Sequence, residues 1–187
     1  MSIWVVMGAG PSLTPADVDY VKDMCMSGHD IKVCVVNNAF ILAPWADVLV
    51  AADPAWWNHY KSAHAFKGDK LCPKTCAGIT AWKPSEYRFG QNSGKYGMHV
   101  AVDRKASKII LLGFDMHSTG KTHFFGEHPK PLSNPNALIF NRHVEEFKLW
   151  SYDTPVVNCT PNSALTRFPM GKLEDELNAG IRSSYTK

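Results

Sequence analysis

No apolar run in this sequence approaches the roughly 20 residues that a helix needs to cross a bilayer. The N-terminus lacks a basic segment followed by an apolar stretch and a small-residue cleavage site. The expectation is therefore an unprocessed, cytoplasmic chain without a membrane span. Charge of one sign is scarce too. Twenty Lys and Arg against 17 Asp and Glu leave a scattered net +3, which argues against nucleic acid or an anionic membrane as partner. The five cysteines, Cys25, Cys34, Cys72, Cys76 and Cys159, are odd in number and spread through expected core elements, unlike a secreted disulfide framework. Cys72 and Cys76 are close, but their spacing is not the two-residue gap of zinc ribbons or redox motifs. Buried or partly exposed thiols are the reading.

Standard nucleotide signatures are incomplete. Gly8-Ala9-Gly10 lacks the third glycine of a dinucleotide fingerprint, because position 13 is Leu. The run Ile31–Val36 ends in Asn37-Asn38, where an NAD site presents an acid to the ribose. Thr119-Gly120-Lys121-Thr122 contains Gly-Lys-Thr without the earlier glycine of a P-loop. A dehydrogenase and a P-loop enzyme are both discounted.

What is present is an ordinary globular composition, 45% apolar and 20% charged, and a length of 187 residues that suits one domain over 1–187. Ile3–Met7 is a short apolar run that ends in Gly8-Ala9-Gly10-Pro11-Ser12-Leu13. Thr14-Pro15 then supplies a capping residue and a proline at the first helical position, predicting a helix from Pro15 to Met26. Strands are expected over Ile31–Val36, Asp47–Ala51, near Lys70-Leu71-Cys72, Lys108–Leu112 and Val156–Cys159. Helices are expected over Ala55–His64, Lys95–Lys105, Asn136–Trp150 and Leu173–Leu177. A polar, aromatic loop precedes Asn92, and a long functional loop covers about 116–135. Continuous apolar strands alternating with helices describe a three-layer α/β fold with a mostly parallel sheet.

In such sheets ligands bind beyond the carboxyl ends of the strands. The residues there are Gly8, Gly10 and Ser12, then Asn37 and Asn38, then Asp53, then Asp115 and His117, and finally Asn158, Thr160 and Asn162. Glycines let backbone approach a phosphate or sugar, and the next helix start offers free N–H groups. A purely structural turn is the alternative for Gly8-Ala9-Gly10. Ser93-Gly94 reads as a second anion-binding helix start or as an ordinary cap. The long loop carries His117, His123 and His128 with Lys121 and Glu127. Imidazole serves as a base near neutral pH, and Lys or His steadies a phosphate leaving group. The histidine separations are not the helical pair of a zinc enzyme, so no metal site is assigned, and solvated loop histidines stay open. His29, His59, His64, His99 and His143 read as surface or packing residues, and Trp56-Trp57 with His59-Tyr60 as core or as a base-stacking patch.

Five segments follow one another in a familiar order: Gly8-Ala9-Gly10-Pro11-Ser12-Leu13, Val35-Val36-Asn37-Asn38-Ala39-Phe40, Ser93-Gly94-Lys95-Tyr96-Gly97-Met98, Ile109-Ile110-Leu111-Leu112-Gly113-Phe114-Asp115 and Asn158-Cys159-Thr160-Pro161-Asn162-Ser163-Ala164-Leu165. Over about residues 3–170 the chain resembles the superfamily joining small bacterial CMP-sialic acid sialyltransferases with archaeal 6-hydroxymethylpterin pyrophosphokinase-like proteins, phage-encoded members included. The resemblance implies a Rossmann-like domain that binds a nucleotide or sugar nucleotide through Gly8, Gly10, Ser12, Asn38 and Ser93. It puts His117 and His123 where the sialyltransferase branch has phosphate-contacting tyrosines, and His128 at the base of a metal-independent inverting transfer. Two departures stand out: Ala9 replaces the branch's usual Asn, and the segment between Asp115 and the last helix is shorter.

The leading expectation is thus a nucleotide-dependent transferase of the glycosyltransferase kind, with a nucleotide-activated donor as substrate and no further cofactor. Ser12, Ser93, Lys121 and His117 or His123 would hold the leaving phosphate while His128 deprotonates the acceptor. The rivals are an ATP-dependent pyrophosphokinase-like enzyme with magnesium on Asp53 and Asp115, and a non-catalytic nucleotide-binding or assembly protein. A homo-oligomer stays open.

Overall fold

Seven strands assemble into one all-parallel sheet in a computed structural model that describes residues 1–85, 92–117 and 120–182, with side chains to Ala179. They are β1 (Ile3–Met7), β2 (Ile31–Val36), β3 (Val48–Val50), β4 (Asp69–Cys72), β5 (Thr80–Ala81), β6 (Lys108–Leu112) and β7 (Val156–Asn158). Their order across the sheet is β5-β4-β3-β2-β1-β6-β7. Successive connections run outward from β1 to β5 on one side, then return across β1 to β6. The point of reversal, between β1 and β6, is where an open α/β sheet leaves a crevice at its carboxyl edge.

Helices cover both faces, because alternate strand residues point to opposite sides. Val5, Met7, Val33, Val35, Leu49, Ile110 and Leu112 pack with α1 (Pro15–Met26), α2 (Pro54–His59) and α5 (Leu173–Arg182). Trp4, Val6, Cys34, Val36, Val48, Val50, Ile109 and Leu111 pack with α3 (Ser93–Asp103) and α4 (Ala137–Lys148). The result is a three-layer Rossmann-like α/β fold. Each fully buried Val, Leu or Ile contributes on the order of 1.5–3 kcal/mol relative to exposure, so the double-sided sheet dominates the stability.

Local chemistry sets the element ends. Thr14 caps α1 in a reciprocal box: its Oγ1 accepts from the Asp17 N–H at 3.2 Å, and the Asp17 carboxylate accepts from the Thr14 N–H at 3.3 Å. The helix expected over Ala55–His64 breaks at Tyr60, leaving α2 and a three-ten turn over Lys61–Ala65. A further three-ten turn follows β2 over Asn37–Ile41, and α5 runs past the expected Leu177. Strand β5 arises inside the expected loop before Asn92, whose residues 86–91 lie outside those described, as do 118–119 of the later loop. No helix among the described residues is long and apolar enough to cross a membrane.

Candidate functional site

A cleft of about 390 Å³ opens over the carboxyl ends of β1, β2, β3, β4 and β6. Its floor is the meeting of two turns. The Gly8 N–H donates to the Leu112 carbonyl at 2.7 Å, and the Gly10 N–H to the Gly113 carbonyl at 3.0 Å. A methyl group at Gly10 would overlap Asp115 Oδ2 and lie 2.6 Å from the Gly113 oxygen. The Gly8-Ala9-Gly10 turn is therefore bare because another backbone and a carboxylate pack onto it, whether or not a ligand arrives. Asp115 is buried and takes the Ser12 hydroxyl at 2.8 Å. Burial raises its pKa, and the Ser12 hydrogen bonds draw it back.

One wall is the start of α3. The cap is Asn92 rather than Ser93: Asn92 Oδ1 accepts from the Lys95 N–H at 2.9 Å. Ser93 and Gly94 thereby occupy the first turn, and no acceptor among the described residues takes their N–H groups. Ser93 Oγ accepts from the Ala52 N–H at 3.0 Å, which leaves its own proton for a ligand. Gly94 is small because the Phe114 ring packs against it. Helices α3 and α4 are clamped together here. The buried Lys95 Nζ donates to the Glu146 carbonyl at 2.7 Å, and Asn92 Nδ2 to the Glu146 carboxylate at 3.2 Å.

Another part of the lining is the histidine loop, tied to the floor by the Phe124 N–H donating to the Ala9 carbonyl at 3.1 Å. The rings of His123 and His128 lie 4.7 Å apart, with Phe125 stacked on His123 at 4.8 Å. The Tyr60 hydroxyl reaches His128 Nδ1 at 2.8 Å. Asn134 braces the His128 backbone from both sides, accepting from its N–H at 2.7 Å and donating to its carbonyl at 3.1 Å. Burial, with His123 and His59 nearby, pushes the His128 pKa down to about 4, and burial also lowers His123. Both imidazoles are neutral at pH 7.

Of the residues singled out in the sequence, Gly8, Gly10, Asn37, Asp53, Ser93, Gly94, Asp115, His123 and His128 line this one cleft. Other expected groups do not. Asn37 takes a left-handed φ of 49° and faces the cleft, which turns Asn38 into the core, where its Oδ1 accepts from Trp56 Nε1 at 2.7 Å. Ser12 is spent on Asp115. Met116, also left-handed, lines the cleft, while His117 turns away and its Nε2 lies 2.9 Å from the Asn162 carbonyl. Lys121 and Asn162 are exposed and off the lining. Asn158 and Thr160 are buried struts: Thr160 Oγ1 accepts from the Phe114 N–H at 2.9 Å.

The sequence reading gave no site role to Lys74, Asn92, Arg142 and His143, which line the cleft, while Tyr60, read as part of a core or base-stacking patch, holds His128. His143, read as a surface or packing residue, stands in the second turn of α4 with no local signal for a site. Arg142 and the α3 start give the cleft an anion-binding side. The two acids of the magnesium reading do not fit a shared metal site, since Asp115 is turned onto Ser12 and Asp53 pairs with Lys74 at 3.3 Å. No group of three His, Cys, Asp or Glu among the described residues is arranged to hold a metal ion. No family model, curated protein or solved structure matches the chain.

Proposed function

We propose that this chain is a nucleotide-dependent transferase that takes a nucleotide-activated donor, a sugar nucleotide in the first instance, into the cleft over β1 and β6. The observation that carries the reading is that one cleft lining holds both the open N–H groups of Ser93 and Gly94 and two neutral, partly buried histidines. Free amides at the start of an 11-residue helix suit a phosphate, and the Ser93 hydroxyl adds a donor. Arg142 supplies further positive character where a leaving phosphate gathers charge. Asn37 offers a polar edge for a ribose or base, and Ile139 and Phe140 an apolar surface for its face. One histidine of the pair then takes the proton of the acceptor hydroxyl.

Thermal shift against CMP, CDP, UDP, GDP, ADP, ATP and CMP-sialic acid, with and without magnesium, tests this reading. Selective binding to the native state at 100-fold over Kd stabilises by about 2.7 kcal/mol. Stabilisation by one nucleotide without metal, followed by turnover of the matching donor, is expected. Stabilisation only by ATP with magnesium would favour the pyrophosphokinase-like alternative, and tight binding without turnover of any donor the non-catalytic one. No shift with any ligand would overturn the nucleotide reading itself.

A further inference from the structure

The protons of the two cleft histidines can be counted from their partners. Thr122 has one hydroxyl proton, and its Oγ1 donates to the Gly126 carbonyl at 3.2 Å, a group that only accepts. The 3.0 Å contact between Thr122 Oγ1 and His123 Nδ1 therefore runs the other way, with Nδ1–H as donor. A neutral imidazole carries a single N–H, so Nε2 of His123 is a bare lone pair. At His128 the count reverses. The half-buried Tyr60 hydroxyl has no other acceptor among the described residues, so it donates to Nδ1 across 2.8 Å, and the His128 proton sits on Nε2. Neither Nε2 is a buried orphan, and both residues line the cleft.

We infer that His123 and His128 hold opposite tautomers and divide the chemistry between them, His123 as proton acceptor and His128 as hydrogen-bond donor. This assignment rests on the transferase reading and reverses the sequence expectation that made His128 the base. In the step, the acceptor hydroxyl gives its proton to His123 Nε2, and its oxygen forms the new bond to the transferred carbon. The bond from that carbon to the donor phosphate oxygen breaks, and its electron pair stays with the phosphate. A nucleoside phosphate leaves as a stable anion, so it needs a donor and no proton. The neutral His128 Nε2–H supplies that hydrogen bond without becoming imidazolate. The lowered pKa of His128 agrees, since a neutral donor must not compete as imidazolium in the free enzyme. Thr122 and Tyr60 are positioning residues: each fixes which ring nitrogen carries the proton.

Two-bond 1H–15N correlation spectra of the full-length labelled protein at pH 7 read the tautomers directly, with His123→Gln and His128→Gln variants for assignment. The wild type is expected to carry the proton on Nδ1 at His123 and on Nε2 at His128. Tyr60→Phe is expected to shift His128 to a mixture of tautomers with His123 unchanged, and Thr122→Val to do the converse. The same tautomer at both histidines, or a Tyr60→Phe spectrum identical to wild type, overturns the inference even if nucleotide binds. Opposite tautomers in a protein that no nucleotide stabilises leave the proton count standing and overturn the catalytic roles together with the transferase reading.

Discussion

Ser12 and Asp115, 103 positions apart, are joined twice, by the Ser12 hydroxyl at 2.8 Å and by its backbone N–H at 3.2 Å. The pair closes the turn after β1 over the turn after β6, with Gly10 beneath the carboxylate. Gly10→Ala is therefore expected to destabilise by about 1–3 kcal/mol, because backbone on one side and a hydrogen-bonded carboxylate on the other leave no slack. Urea denaturation measures it. A midpoint equal to wild type would show that the two turns separate easily.

His99 lies at 2% exposure among Tyr96, Trp150 and Tyr152, with neither ring nitrogen hydrogen-bonded to any of the described residues. Burial, aided by Lys95, pushes its pKa from 6.5 down to about 4. The unfolded chain takes up this proton near pH 6.5, and the folded chain does so only near 4. Stability thus falls as pH drops through that window. His99→Phe removes the contribution, so the variant should lose less stability than wild type between pH 7 and pH 5. Denaturant midpoints at the two pH values decide; parallel losses would refute the assignment.

Much of the scaffold is legible because the signals are local. β1, β2 and β6 are apolar runs with the boundaries the sequence gives them, and Thr14-Pro15 marks the α1 start. The site is less so. β5 is two exposed residues with no hydrophobic pattern to announce them. The choice of Asn37 over Asn38 for the cleft turns on one backbone dihedral. The Tyr60 and His128 contact joins positions 68 apart, which no spacing rule encodes. Asn92 outcompetes Ser93 as cap because the Ser93 hydroxyl is already engaged with β3's end.

Arg142 has a 65% exposed side chain whose one ion-pair partner among the described residues, Glu146, lies 3.7 Å away on the same helix. Its removal should leave stability within about 0.5 kcal/mol. If the cleft binds a phosphate-bearing ligand, Arg142→Ala should weaken that binding several-fold. Calorimetric titration and thermal denaturation on one preparation separate the two effects. Unchanged affinity would take Arg142 out of the ligand's reach.

An anion beside His123 and His128 favours their charged forms, and both begin with lowered pKa values. Ligand binding at pH 5 should therefore take up protons, and affinity should rise as pH falls from 7 toward 5, while at pH 7 the pair stays neutral. Titration calorimetry in two buffers of different ionisation enthalpy measures the proton count. Release of protons, or none exchanged, would place the anionic group away from the pair.

The link from Lys95 to the Glu146 carbonyl, with Asn92 on the same residue's carboxylate, makes α3 and α4 a single jaw. Its kinetic consequence is that the anion-facing wall exists before any ligand arrives. Stopped-flow association should follow one exponential whose rate climbs linearly with concentration, without the plateau that a slow opening step imposes.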